Sequence, residues 1–115
     1  MDPKIKDDWL TALRSDKYQQ GRFHLRNQDD KFCCLGVLCD LYAQTEEAKS
    51  NNIDWEINSH HSIVKDYKFV NKTTTPPEIV MKWANIYEDQ LGSLIIQNDT
   101  GSSFKHIANY IEKVF

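Results

Sequence analysis

The sequence has no excess of basic residues: 14 Lys and Arg stand against 17 Asp and Glu, for a formal net charge of −3. That argues against sequence-independent binding to long nucleic acid, which needs a basic stripe. It leaves room for a small anion held by a few arginine forks. No window approaches eighteen apolar residues, so no membrane span is expected. The first apolar residues, Ile5, Trp9 and Leu10, are interrupted by Lys6, Asp7 and Asp8. No secretory leader is therefore expected, and a cytosolic protein is the reading. The chain also lacks a Walker-type loop, a G-x-G-x-x-G turn, an H-E-x-x-H helix and a G-x-S-x-G elbow. Missing all of these, it reads more as a binding protein than as an enzyme, with no catalytic residue and no cofactor assigned.

What the chain does have is a cysteine cluster. Its only three cysteines, Cys33, Cys34 and Cys39, fall in "KFCCLGVLCDLY". A structural zinc site wants four ligands in close pairs. Adjacent helical residues point about 100° apart, so Cys33 and Cys34 do not share a metal easily. A thioredoxin-type C-x-x-C is absent. The three are read as small hydrophobes inside a helix, thiols in a reducing compartment, with no metal site.

At 115 residues the chain fits one domain with one modest core. Asp2 and Pro3 open a helix whose apolar positions Ile5, Trp9 and Leu13 recur at helical spacing through Ser15. A polar loop with Gly21 follows. Phe32 to Ala43 is a central helix, and Gly36 inside it implies close approach of another element. Residues 46–52 read as loop. "IDWEI" and "YKFVN" alternate as two half-buried strands that pair across His60 and His61. Thr75 and Glu78 have capping-box spacing, with both prolines in the first turn of a third helix. "SLIIQ" reads as a short strand or irregular apolar segment, and "NDTGSS" as a turn. The last helix is capped by Ser102 or Ser103 and buries Phe104, Ile107, Ala108, Ile111 and Phe115. The expected fold is α+β: about four helices with a small two- or three-stranded antiparallel sheet, in a single domain covering residues 1–115.

Candidate ligand contacts gather at two places. Arg14, Arg22 and Arg26, with Tyr18, Gln19 and Gln20, surround the first loop; arginine forks suit phosphate and tyrosine can stack on a base. The plainer reading pairs those arginines with Asp16, Asp29 or Asp30. Asn98 and Asp99 precede a helix start, where backbone N–H groups favour anions, though both are also ordinary turn and capping residues. Trp55 could line a pocket mouth. His60 and His61 could bind metal or titrate near neutrality, but histidines of this kind are mostly solvated.

The segments "WLTALRSDKYQQGRFHLR", "FCCLGVLCDLY", "PPEIVMKWANI" and "LIIQNDTGSSFKHIANYIE" together resemble a family of small proteins encoded by tailed bacteriophages and prophages. The family carries no established activity. The resemblance implies a phage accessory protein working in the host cytoplasm against antiviral defence. Its expected action is to sequester a small nucleotide-type signal without chemistry, through Arg14, Tyr18, Gln20, Arg22, Arg26, Trp55, Asn98 and Asp99. Two alternatives stand beside it. One is a protein–protein inhibitor of a host defence protein, docking through Trp55, Tyr67 and Phe69. The other is a small hydrolase using Asp99, His106 or His24. Homo-oligomerisation suits the first reading, because a two-fold interface deepens a pocket.

Overall fold

The computed structural model describes residues 1–58 and 66–115. His60 and His61 lie outside the described residues. Six α-helices and a two-stranded antiparallel sheet are described, so the class is α+β with two more helices than expected.

Helix α1 (Pro3–Arg14) starts as its sequence dictates: the Asp2 carboxylate accepts from Ile5 N at 2.9 Å, and Pro3 fills the first turn. It buries Ile5, Trp9, Leu10, Ala12 and Leu13, and Trp9 Nε1 donates to the Cys34 carbonyl at 3.0 Å. Helix α2 (Cys34–Ala43) is the central element and packs against α1 and three further helices. Every residue from Cys34 to Cys39 is buried. Gly36 is required, because a Cβ there would overlap the Leu25 carbonyl, where the preceding loop crosses the helix.

Helix α3 (Glu46–Ser50) replaces the expected loop. Thr45 Oγ1 accepts from Ala48 N at 3.1 Å, and the apolar Ala48 pins the short helix to the core. Strands β1 (Trp55–Asn58) and β2 (Asp66–Phe69) pair as expected, with Trp55 opposite Phe69 and Ile57 opposite Tyr67. Only the Trp55–Phe69 end reaches the core, and Ile57 stays 59% exposed.

Helix α4 (Glu78–Ala84) begins later than its capping-box spacing suggested. Pro77 occupies the N-cap with extended backbone and no side-chain cap is made. The residue before a proline is pushed out of the helical region, so Pro76 cannot be helical and Thr75 is too far back to cap. After a 3₁₀ turn (Glu88–Gln90), α5 (Leu91–Asp99) occupies the stretch expected to be a short strand or irregular apolar segment followed by a turn. Leu91, Leu94 and Asn98 form an i, i+3, i+7 stripe that packs on α2, and this packing overrides the β-branched Ile95–Ile96 pair. Asn98 and Asp99 are therefore helical, and the chain turns at Gly101 with φ +103. Ser103 caps α6 (Phe104–Val114) by accepting from His106 N, and α6 packs its apolar face on α1 and α5. Phe104, Ile107, Ala108 and Ile111 are buried and Phe115 is partly buried, as their spacing implied.

Candidate functional site

The long loop between α1 and α2 carries half of the expected contacts, and it is an ordered structure. Gly21 N donates to Phe32 O, Phe32 N to Gln19 O, and Leu25 N to Thr73 O, all within 2.7–2.8 Å. Leu25 is fully buried and anchors the loop's middle. The loop does not bring its arginines together. Arg14 reaches away to α6, bonding Glu112 at 3.2 Å and Asn109 at 3.0 Å, where it ties the two terminal helices.

Tyr18, Arg26 and Trp55 meet in one cluster. The Asp40 carboxylate, on α2, accepts from Tyr18 Oη, Trp55 Nε1 and Gln44 Nε2. Burial, with the Asp40 carboxylate beside it, raises the Tyr18 phenol above its ordinary range. The Arg26 guanidinium sits 3.9 Å from the Tyr67 ring centre, 5.2 Å from Phe32 and 5.5 Å from Trp55, and its Nε donates to Asp30 at 2.6 Å. The Asp40 acceptor group is thus spent on the protein itself, while the Arg26 guanidinium is packed among rings and tied to Asp30 through Nε. Phe69 is buried and Trp55 and Tyr67 are half-buried here, so these three rings do not form an exposed docking patch.

Gln20, Arg22, Asn98 and Asp99 meet in a second cluster. Asn98 is 1% exposed, and its Oδ1 accepts from Gln20 Nε2 at 3.0 Å and Cys34 N at 3.2 Å. Its Nδ2 donates to Gly21 O at 2.9 Å, so one amide fastens α5, the loop and the start of α2. Gln20 extends the knot, donating to Ser102 O at 2.7 Å and accepting from Phe104 N at 3.0 Å. Asp99 Oδ1 accepts from Phe23 N at 2.9 Å. Against this fixed base stands a recess of about 250 Å³, lined by Phe23, Cys33, Leu35, Thr75, Ile95 and Asp99 among others.

Two neighbouring residues are unusual: Phe23, which lines this recess, and Arg22, which borders a separate small one with Gln20, Gly101 and Ser102. Phe23 is 63% exposed and has φ +71, a left-handed backbone that costs a non-glycine residue about 1 kcal/mol or more. Arg22 is exposed, lies against Gly101, and has no carboxylate or hydrogen-bond partner among the described residues. Sequence reasoning found Arg22 but missed Phe23. Only the adjacent polar run and Gly21 hinted at an unusual backbone there.

The thiols lie beneath this recess and in the core. Cys33 is 7% exposed and caps α2 by accepting from Gly36 N at 3.4 Å; burial pushes its pKa up to about 11. Burial raises Cys34 and Cys39 well above the ordinary thiol range too. At neutral pH all three are protonated, apolar lining, as the spacing implied. Of the candidate acid–base groups, His24 faces Asp66 on β2 at 3.4 Å, while His106 is exposed on α6.

Fold and site together define a small α+β domain with a rigid polar knot under an open, aromatic-rimmed recess. The chain belongs to the family described as a domain of unknown function (DUF8296), whose model matches residues 1–92. No curated protein and no solved structure was found to match it. The family match ends at the first turn of α5, so the knot's Asn98 and Asp99 lie beyond it.

Proposed function

We propose that this domain is a non-catalytic binding module that holds a small nucleotide-type ligand at the Phe23 recess. In this reading it is a phage accessory protein that withholds such a signal from antiviral defence in the host cytoplasm. The observation that carries the binding reading is the pairing of Arg22 with Phe23. A guanidinium without a partner among the described residues supplies donors in the fork geometry that phosphate accepts. The ring beside it offers a stacking face for a base. The backbone strain at Phe23 persists because Asp99 holds its N–H, which keeps the ring at the recess mouth. The recess is below the usual 300–1,000 Å³ of ligand pockets, which suits one ring system inside and the phosphate outside, at Arg22. The phage and anti-defence part of the reading rests on the sequence resemblance alone.

Sequestration needs affinity and no chemistry. A dissociation constant near 10 nM corresponds to about −11 kcal/mol, within reach of charge-assisted phosphate contacts and one stacked base. The test incubates purified protein with nucleotides, cyclic nucleotides and ADP-ribose derivatives, then chromatographs the mixture before and after heat denaturation. A compound that disappears and returns intact supports sequestration. One that returns altered overturns the non-catalytic reading. If every compound stays free, the small-molecule reading falls and a protein partner at Phe23 takes its place. In the positive case, Arg22→Ala weakens binding at least tenfold with an unchanged urea midpoint.

A further inference from the structure

The Phe23 recess and a larger one share Thr75 in their walls, and the two together are called the trough. The larger recess, of about 660 Å³, is lined by Lys72, Thr75, Met81, Tyr87, Glu88 and Leu91 among others. Along one wall, Leu91 borders the larger recess and Ile95, Asn98 and Asp99 border the smaller, so α5 runs beside both. From Leu91 to Asn98 is about 10 Å of helix axis at ~1.5 Å per residue. The strap at residues 72–76 contributes Lys72 and Thr75 to the facing wall.

The two ends repeat one chemical arrangement. At one end stand the 63% exposed Phe23 and the carboxylate of Asp99; at the other, the 63% exposed Tyr87 and the carboxylate of Glu88. Tyr87 is held in place, its N–H donating to Gln90 Oε1 at 2.9 Å and its carbonyl accepting from Gln90 N at 3.0 Å. Asn85, in the left-handed region at φ +57, ends α4 and turns the chain so that Ile86 is buried and Tyr87 faces out. An aromatic face beside a carboxylate suits a heteroaromatic ring bearing an exocyclic amino group: the ring stacks and the amine donates. Of the cations lining the trough, Lys82 is paired with Glu78 at 3.2 Å, whereas Lys72 has no carboxylate partner among the described residues.

We infer that the trough takes a ligand with two amino-bearing bases joined by a phosphate linker, one base on Phe23 and the other on Tyr87, with Lys72 facing the linker. This rests on the reading of the Phe23 recess and extends it to the class of dinucleotides. A single nucleotide occupies one end only.

Calorimetry with AMP, adenylyl-adenosine and uridylyl-uridine tests it, on the wild-type chain and on Tyr87→Ala and Phe23→Ala. Adenylyl-adenosine is expected to bind at least tenfold more tightly than AMP, and more tightly than uridylyl-uridine, which lacks the amino groups. Tyr87→Ala should erase the advantage of adenylyl-adenosine over AMP, while Phe23→Ala should weaken the binding of both. Equal binding of AMP and adenylyl-adenosine, or an advantage that survives Tyr87→Ala, overturns the two-base inference and leaves the Phe23 reading standing. No binding of any probe to the wild-type chain overturns both.

Discussion

The loop between α1 and α2 supports two clusters built from the same residue types and used in opposite ways. In one, Arg26 is stacked among three rings and bonded to Asp30, while Asp40 gathers the donors of Tyr18, Trp55 and Gln44. In the other, Arg22 is free of such partners among the described residues and Phe23 is exposed with a strained backbone. The first cluster closes on itself and fastens β1 and β2 to the helices. The second is fixed at its base by Asn98, Gln20 and Asp99, and leaves its rim open. An arginine packed among aromatic rings and tied to a carboxylate is therefore weaker evidence of a site than one with neither, since its face and part of its charge are already used.

The largest effect expected comes from cutting the base of the open cluster. Asn98→Ala leaves the buried N–H of Cys34 and the carbonyl of Gly21 without their partners, and costs about 3 kcal/mol in urea unfolding. Destabilisation below about 1 kcal/mol would show that the knot is not what holds the loop. Next comes Asp40→Ala in the closed cluster. Three donors lose their acceptor, but the site is only partly buried and water can replace some bonds, so about 2 kcal/mol is expected. Ligand binding by the folded fraction should stay within twofold of wild type. Loss of binding with stability intact would reverse the roles assigned to the two clusters.

Alkaline titration separates them further. The folded pKa of Cys33 is raised from 9.0 to about 11, and that of Tyr18 is raised above 10.0. A raised pKa means that the unfolded chain loses its proton first. The stabilisation is complete below pH 9 for the thiol and is lost as pH climbs towards 11, by roughly 1 kcal/mol per pH unit for each buried thiol. The tyrosine of the closed cluster adds its share only above pH 10. The urea midpoint should fall from pH 8.5 to 10.5, and Tyr18→Phe should reduce the fall above pH 10 without touching the fall below it, Tyr42 and the buried thiols keeping the rest. A flat midpoint across that range would contradict the burial of both groups.

The sequence disclosed the parts whose partners lie nearby in the chain. Asp2 over Ile5, Ser103 over His106, the α6 stripe and the pairing of Trp55 with Phe69 are all local or periodic. Gly36 was legible as a close approach, though the loop it meets at Leu25 was not. Helix α5 was obscured because its β-branched pair and Gly92 speak against a helix, and only packing on α2 decides otherwise. The candidate site was half legible. Gln20, Arg22, Asn98 and Asp99 do converge, but Tyr18, Arg26 and Trp55 form a different cluster and Arg14 joins neither. Which arginine is consumed depends on contacts far apart in sequence, such as Arg26 with Tyr67 or Arg14 with Glu112. No spacing rule encodes these.

The smallest stability change is also the most discriminating, because its sign is opposite to the others. Phe23 occupies a left-handed conformation that glycine adopts freely, and its exposed ring contributes little to the core. Phe23→Gly relieves the strain at some cost in unfolded-chain entropy, so it should leave stability unchanged or raise it by up to about 1 kcal/mol. The Phe23 N–H to Asp99 is backbone and survives the substitution. If the ring serves a ligand, the same variant should bind at least tenfold more weakly. A gain in stability with a loss of binding is what a strained functional residue predicts, since the cost of the conformation is repaid only when the ligand is present. A loss of stability above 1 kcal/mol would instead make Phe23 a structural lid over Cys33 and Leu35, and would move it into the same category as Arg26.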